Sequence, residues 1–228
     1  MKLINFIVSS LVASTLIQTA CDNSHYKTTQ IGSQIWMTEN LNVSTFSNGE
    51  PIPQAKTEEE WKKAGLEKKP VWCYSKFDAA NGRKYGKLYN GYAVFDSRGL
   101  APKGWHIPNT AEWEQLINEL GGKDEVADKL KATSGWDEFK GLWKSGSDGT
   151  VHKNSNGNGN NSSGFTALPG GSCDNYGTDN FRGIKGIWWS CTEDETLLYN
   201  YALDNLFSFL EKRIDHMDVG FSVRCIKD

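Results

Sequence analysis

Several things are scarce in this chain, and each shortage closes a class of explanation. Among 228 residues there are four His: His25, His106, His152 and His216. None of them stands in a His-x-x-x-His pair, so a zinc-hydrolase centre has no basis here. His106 falls just ahead of a helix start, where a structural role is the expectation. There is no Gly-x-Ser-x-Gly elbow and no phosphate-cradling Gly-Lys-Ser/Thr. The five Cys have no metal-site spacing, which argues against structural zinc. Lys and Arg number 25 against 28 Asp and Glu, a net charge of −3 with both signs scattered. Without a basic stripe, nucleic acid is a poor partner. After residue 21 no apolar run is long enough to span a bilayer. These absences point to a protein that is not an enzyme.

The first 21 residues read as an export signal. Lys2 is the only charge before Asp22, Leu3 to Ile17 is largely apolar, and the stretch ends at Thr19-Ala20-Cys21. A Cys directly after a small residue resembles the bacterial lipoprotein signal, which implies that Cys21 is lipidated and becomes the mature N-terminus. Gln18 departs from the aliphatic residue usual at that position, and it suits an ordinary cleaved signal poorly as well. The expectation is an exported protein of a bacterial cell envelope, lipid-anchored at the outer membrane or cell surface, with residues 22–27 as a tether.

Residues 28–228 are rich where the rest is poor. The chain carries nine Trp and 23 Gly against six Pro. That composition suits a loop-rich α+β or β domain better than a helical bundle. The strongest local signal is at 104–122. Asn109 followed by Glu112 reads as a capping box, and Trp113, Leu116, Ile117 and Leu120 fall on one helical face. Gly121-Gly122 ends that helix. Asp124 to Thr133 predicts a second helix, and Thr57 to Ala64 a short one with acids first and bases last. Ile31 to Thr38 reads as a hairpin around Gly32-Ser33. Strands are expected at Val71–Ser75, Gly186–Thr192, Tyr199–Leu203 and Val219–Ile226. Asp78–Tyr85 and Glu211–Asp218 read as turns. Leu206–Leu210 fits strand or helix. Gly146 to Gly164, nearly all Gly, Ser and Asn, reads as a long exposed loop.

Five motifs then stand in one order. They are Tyr85-Gly86-Lys87-Leu88-Tyr89-Asn90, Gly104-Trp105-His106-Ile107-Pro108 with Glu112-Trp113, Gly164-Phe165 with Leu168-Pro169-Gly170-Gly171, Trp188-Trp189-Ser190, and Gly220-Phe221-Ser222-Val223-Arg224-Cys225. In this the chain resembles the Fibrobacter succinogenes major paralogous domain, over roughly 28–228. The ending and the Trp-Trp strand also resemble the wider C-type-lectin-like group, which includes the formylglycine-generating enzymes. The resemblance implies an α+β fold: a C-type-lectin-like compact domain with two helices, small antiparallel sheets, a long-loop region, and N- and C-terminal strands paired. No general catalytic activity is implied. The oxidase relatives need a C-terminal pair of reactive cysteines, and here only Cys225 is near the end. Where the family often has a Cys, this chain has Ala101, so Cys225 lacks its usual partner. Cys73 could substitute, leaving Cys173 with Cys191; one disulfide with two buried thiols is the alternative.

The candidate ligand-binding residues are Trp188, Trp189, Asn175, Tyr176, Tyr199, Asp204 and Asn205, because aromatic and amide side chains make adaptable contacts and stack on sugars. Neighbours on a strand alternate, so one of Trp188 and Trp189 is expected in the core while the other packs beneath a loop or faces a ligand. Both being covered by the long loops is the plainer reading. Glu193, Asp194 and Glu195 are a weak Ca²⁺ candidate, with a solvated acidic turn as the alternative. No cofactor is otherwise implied. The reading is a membrane-anchored binding module for a glycan or a protein. The alternatives are a structural envelope subunit without external ligand, and an oxidase or hydrolase relative.

Overall fold

A computed structural model describes residues 26–144, 151–152, 155–195 and 197–228. Residues 1–25, with the expected export signal, Cys21 and most of the expected tether, lie outside them, as do residues 145–150 and 153–154 of the polar segment. In chain order the elements are β1 (Thr28–Ile31), β2 (Gln34–Met37), α1 (Glu58–Leu66), β3 (Trp72–Cys73), a 3-10 turn at Ser75–Phe77, α2 (Ala79–Tyr85), β4 (Leu88–Asn90), α3 (Gly91–Val94), β5 (Trp105–His106), α4 (Thr110–Glu119) and α5 (Val126–Leu130). They continue with β6 (Trp143–Lys144), β7 (Val151–His152), β8 (Ser172–Cys173), β9 (Asp179–Asn180), β10 (Lys185–Asp194), β11 (Leu197–Asp204), β12 (Glu211–His216), β13 (Gly220–Phe221) and β14 (Ile226–Lys227).

The architecture is mostly β, which corrects the expected α+β, C-type-lectin-like arrangement with two helices. Three antiparallel sheets carry the domain, in the orders β1-β2-β14-β5, β10-β11-β12 and β3-β4-β13-β8-β9, with β6-β7 as a separate hairpin. Among the described residues five short α-helices decorate them, the longest, α4, of 10 residues. The expected pairing of the chain's two ends is present: Ile226 of β14 sits opposite Trp36 of β2.

Local chemistry explains the elements that were legible. The β1–β2 turn uses Gly32 at φ +58, a conformation glycine adopts without a Cβ penalty. Thr57 caps α1 by accepting from Glu60 N. The Asn109–Glu112 capping box of α4 is complete in both directions, and Trp113, Leu116 and Ile117 are buried. Asp78–Tyr85, expected as a turn, is helix α2. Asp78 accepts from Ala80 N, and Gly82 is there for space, since a Cβ would lie 2.1 Å from the Tyr74 ring. Glu211–His216, also expected as a turn, is edge strand β12; its charged, mostly exposed side chains hide the strand. Leu206–Leu210 is neither strand nor helix but an irregular link between β11 and β12. The expected last strand splits: β13 joins the five-stranded sheet and β14 the four-stranded one.

β10 is the structural centre. One edge pairs with β11. Along the other, Trp189 N donates to Ser222 O and Ser222 N to Ile187 O. Trp188 packs into the core around Trp36, Trp113 and Phe165, while Trp189 packs into the core around Tyr89, Phe221 and Cys225. Both indoles are fully buried. The alternation rule holds, but each face of this strand meets apolar core.

The described part of the polar Gly/Asn segment is tucked in, which corrects the expected long exposed loop. Asn160 N and Asn161 N donate to Asp128 O, Ser163 N to Lys129 O and Gly159 N to Ala132 O, binding it to α5 and the residues that follow. A Cβ on Gly159 would come within 2.4 Å of Asp128 O. The glycines there permit close backbone packing, which composition alone reads as openness.

Candidate functional site

Residues of four of the five motifs converge on one half-buried side chain, Asn40. Its amide donates to Tyr85 O at 2.8 Å and to Ser222 Oγ at 3.2 Å. Its Oδ1 accepts from Trp188 Nε1 at 2.8 Å and from Arg224 Nη2 at 2.6 Å and Nε at 3.2 Å. Arg224 is 1% exposed and also donates to Met37 O and Phe165 O. Its guanidinium lies 4.3 Å from the Phe165 ring centre, a cation–π contact. Burial pulls its pKa down to about 9, so it remains charged at neutral pH. Carbonyl and amide oxygens and an aromatic face take the place of a carboxylate partner. Four of the five motifs are therefore held together by this network, and Asn40 carries no sequence signal that would have singled it out.

The fifth motif forms a clamp. His106 Nδ1 lies 2.8 Å from Asp228 Oδ1, and its Nε2 lies 2.8 Å from Glu112 Oε1. Burial lowers the imidazole pKa, but the hydrogen bonds to Asp228 and Glu112 outweigh it and the pKa stands above the ordinary value. Cys191 lines the same open cleft of about 520 Å³ as His106. The pair resembles a Cys–His arrangement only by proximity. Both ring nitrogens already engage carboxylates, and burial and the Glu112 charge push the Cys191 thiol up. A ring whose two nitrogens are both held by carboxylates turns neither toward the thiol, and a raised thiol is a weak nucleophile. The geometry is that of a strand-to-helix fastener.

A second concavity has the chemistry of a binding groove. It encloses about 480 Å³ and is lined by Asp137, Glu138, Phe139, Ile184, Asp204 and Phe207 among others. Asn205, buried, donates to Asp137 O and accepts from Ser155 Oγ through its carbonyl, which fixes the groove's two walls to each other. Asp204 accepts from Leu206 N and lies 3.5 Å from Lys185 Nζ. Phe207 and Phe209 stack with ring centres 5.1 Å apart. Phe181 and Ile184 are 49% and 38% exposed, large for apolar residues beside a concave surface.

Of the residues singled out in the sequence, the structure brings only Asp204 and Asn205 together in this groove. Trp188 and Trp189 have no accessible surface with which to meet a ligand. Asn175 and Tyr176 sit on the β8–β9 hairpin, where Lys62 of α1 lies 5.5 Å from the Tyr176 ring centre. Tyr199 lies half-buried on β11 under Lys212. Glu193, Asp194 and Glu195 are exposed around the β10–β11 turn, and among the described residues no three His, Cys, Asp or Glu side chains are grouped to hold a metal ion. Cys73, Cys173, Cys191 and Cys225 are free thiols. Neither expected pairing is juxtaposed: Cys73 and Cys225 belong to different core clusters, and Cys173 is buried while Cys191 is exposed. The groove residues missed in the sequence, Phe139, Ile184 and Phe207, come from segments with no regular period, so no pattern joins them.

Fold and site together define a mostly β module with a rigid aromatic core and a shallow lateral groove. The Fibrobacter succinogenes major domain model matches residues 29–227, and the chain belongs to that family. Searches of curated proteins and of solved structures returned no match.

Proposed function

We propose that this chain is an exported, lipid-anchored envelope protein whose folded domain binds a glycan or protein ligand without chemical turnover. The groove between 137–140 and 204–207 carries the reading: Phe139, Ile184 and Phe207 offer apolar faces beside the carboxylates of Asp137, Glu138 and Asp204. A concave site with apolar walls and a few fixed polar groups is the usual form of a ligand site. The export signal ending at Cys21 supports display at a membrane surface.

The alternative of a self-assembling envelope subunit has weaker support. The free edge of the β10-β11-β12 sheet is β12, and Glu211, Lys212, Arg213 and Asp215 line it. Charged edge strands oppose edge-to-edge pairing. The enzyme alternative lacks a free base at His106, as argued above.

The test is a glycan array and a peptide-display screen on the full chain, followed by titration of each hit with two variants. Asp204→Asn keeps the turn-forming oxygen and Phe207→Ala removes an aromatic wall. Each is expected to weaken binding at least about tenfold with the unfolding midpoint little changed. Hits that bind both variants as tightly as the wild type would remove the groove from the account.

A further inference from the structure

We infer that Cys73 and Cys173 form a disulfide when the chain folds under oxidising conditions, locking the first strand of the five-stranded sheet to its fourth. Both residues are buried and pack in one small cluster with Ala55, Trp61, Val71 and Leu88. Strand register puts them on one face. Cys73 lies opposite Leu88, Asn90 is two residues on from Leu88, Gly220 lies opposite Asn90, and Cys173 lies opposite Gly220. Directly paired residues and i, i+2 neighbours share a face.

A flat sheet would hold β3 and β8 apart across two intervening strands, about 14 Å away. This sheet curls shut instead. Asp179 of β9, paired with Cys173, accepts from Ser75 Oγ at 2.5 Å and from Lys76 N at 2.9 Å, in the turn that follows Cys73. That link joins the two ends of the sheet beside the thiols. Gly220 leaves the concave face open between them; a Cβ there would meet the Trp61 ring at 2.6 Å and Cys173 Cβ at 3.2 Å. The neighbouring Cys73 thiol, with burial, holds the Cys173 thiol well above the ordinary range.

The chemistry follows from that burial. A raised, enclosed thiol is inert, so oxidation belongs to the open chain before the sheet closes. One Cys thiolate attacks a small-molecule or protein disulfide, releasing one thiolate of that reagent and leaving a mixed disulfide. The second Cys thiolate attacks the protein sulfur of that mixed disulfide and releases the other. Two protein thiols are oxidised to the disulfide, one external disulfide is reduced, and the two protons given up by the protein thiols pass through solvent to the two released thiolates, which leave as thiols. Cys225 and Cys191 take no part.

The experiment refolds the reduced full chain in a glutathione redox buffer and, in parallel, in excess reductant, removes the small thiols, then unfolds each sample in denaturant with the alkylating reagent present and no further reduction. Trypsin separates the two residues onto peptides 69–76 and 154–182. The expected result is a linked 69–76/154–182 pair from the oxidised sample only, with Cys191 and Cys225 alkylated. The cross-link closes a loop of about 100 residues, which should raise the melting midpoint of the oxidised sample by about 10 °C. Cys73→Ala and Cys173→Ala should each abolish that redox-dependent difference. Alkylation of both Cys73 and Cys173 in the oxidised, then denatured sample, or a link from either to Cys191 or Cys225, would overturn the assignment.

Discussion

Asn40 and Arg224 illustrate how a single polar pair can hold several apolar layers in register. A buried guanidinium without a carboxylate is stable only when each donor finds an oxygen and the charge finds a compensating surface. Here Asn40 Oδ1, two carbonyls and the Phe165 ring supply these. Removing the amide strands the Trp188 indole N–H and part of the guanidinium in the core. Asn40→Ala should therefore destabilise the domain by about 3 kcal/mol, read from the urea midpoint. Arg224→Lys should fare no better, because an ammonium cannot reproduce the planar fork.

His106 gives a second prediction at the same scale. Its folded pKa is raised above the ordinary value, so the folded state holds the proton more tightly than the unfolded chain. The stabilisation is fully present below pH about 6.5 and is lost as pH rises through the higher folded value. The imidazole is 39% exposed, and solvent screening keeps the effect to under about 1 kcal/mol. In His106→Gln the slope of stability between pH 6 and 8 should flatten; an unchanged slope would remove the clamp's electrostatic role.

At the scale of elements, legibility tracked how local the cause was. The α4 capping box is a relation between residues three apart, and it was read correctly. Asn109→Ala should remove it at about 1 kcal/mol, measured by chemical unfolding, with the groove untouched. The two-residue strands β3, β5, β6, β7, β8, β9, β13 and β14 carry no period at all, because two residues define no alternation. Their pairing is dictated by distant partners. The same holds for Gly159, whose missing Cβ answers the carbonyl of Asp128 on α5, while Gly82 answers the nearer Tyr74 ring ahead of α2; sequence reads either Gly as a turn or a loop. For Trp188 and Trp189 the alternation holds and so does the plainer reading that both are covered, although the cover is apolar core on each face of β10 rather than the long loops. The motifs were visible as a set, but their common partner Asn40 was not.

At the scale of the whole molecule, the domain and its address are separate physical statements. No helix among the described residues is long and apolar enough to cross a membrane, and the attachment proposed above is placed on the N-terminal segment. One acyl chain alone holds a protein only marginally at a bilayer, while two chains or more hold it stably. If Cys21 carries such a lipid, full-length protein expressed in a bacterium should sediment with membranes and partition into detergent phase. Cys21→Ser should move the folded domain to the soluble fraction while leaving its unfolding midpoint unchanged, because the domain core begins beyond the tether. Wild-type protein found entirely in the soluble fraction, or Cys21→Ser protein that stays with the membrane, would disconnect the groove from membrane display and leave its ligand to be sought in solution.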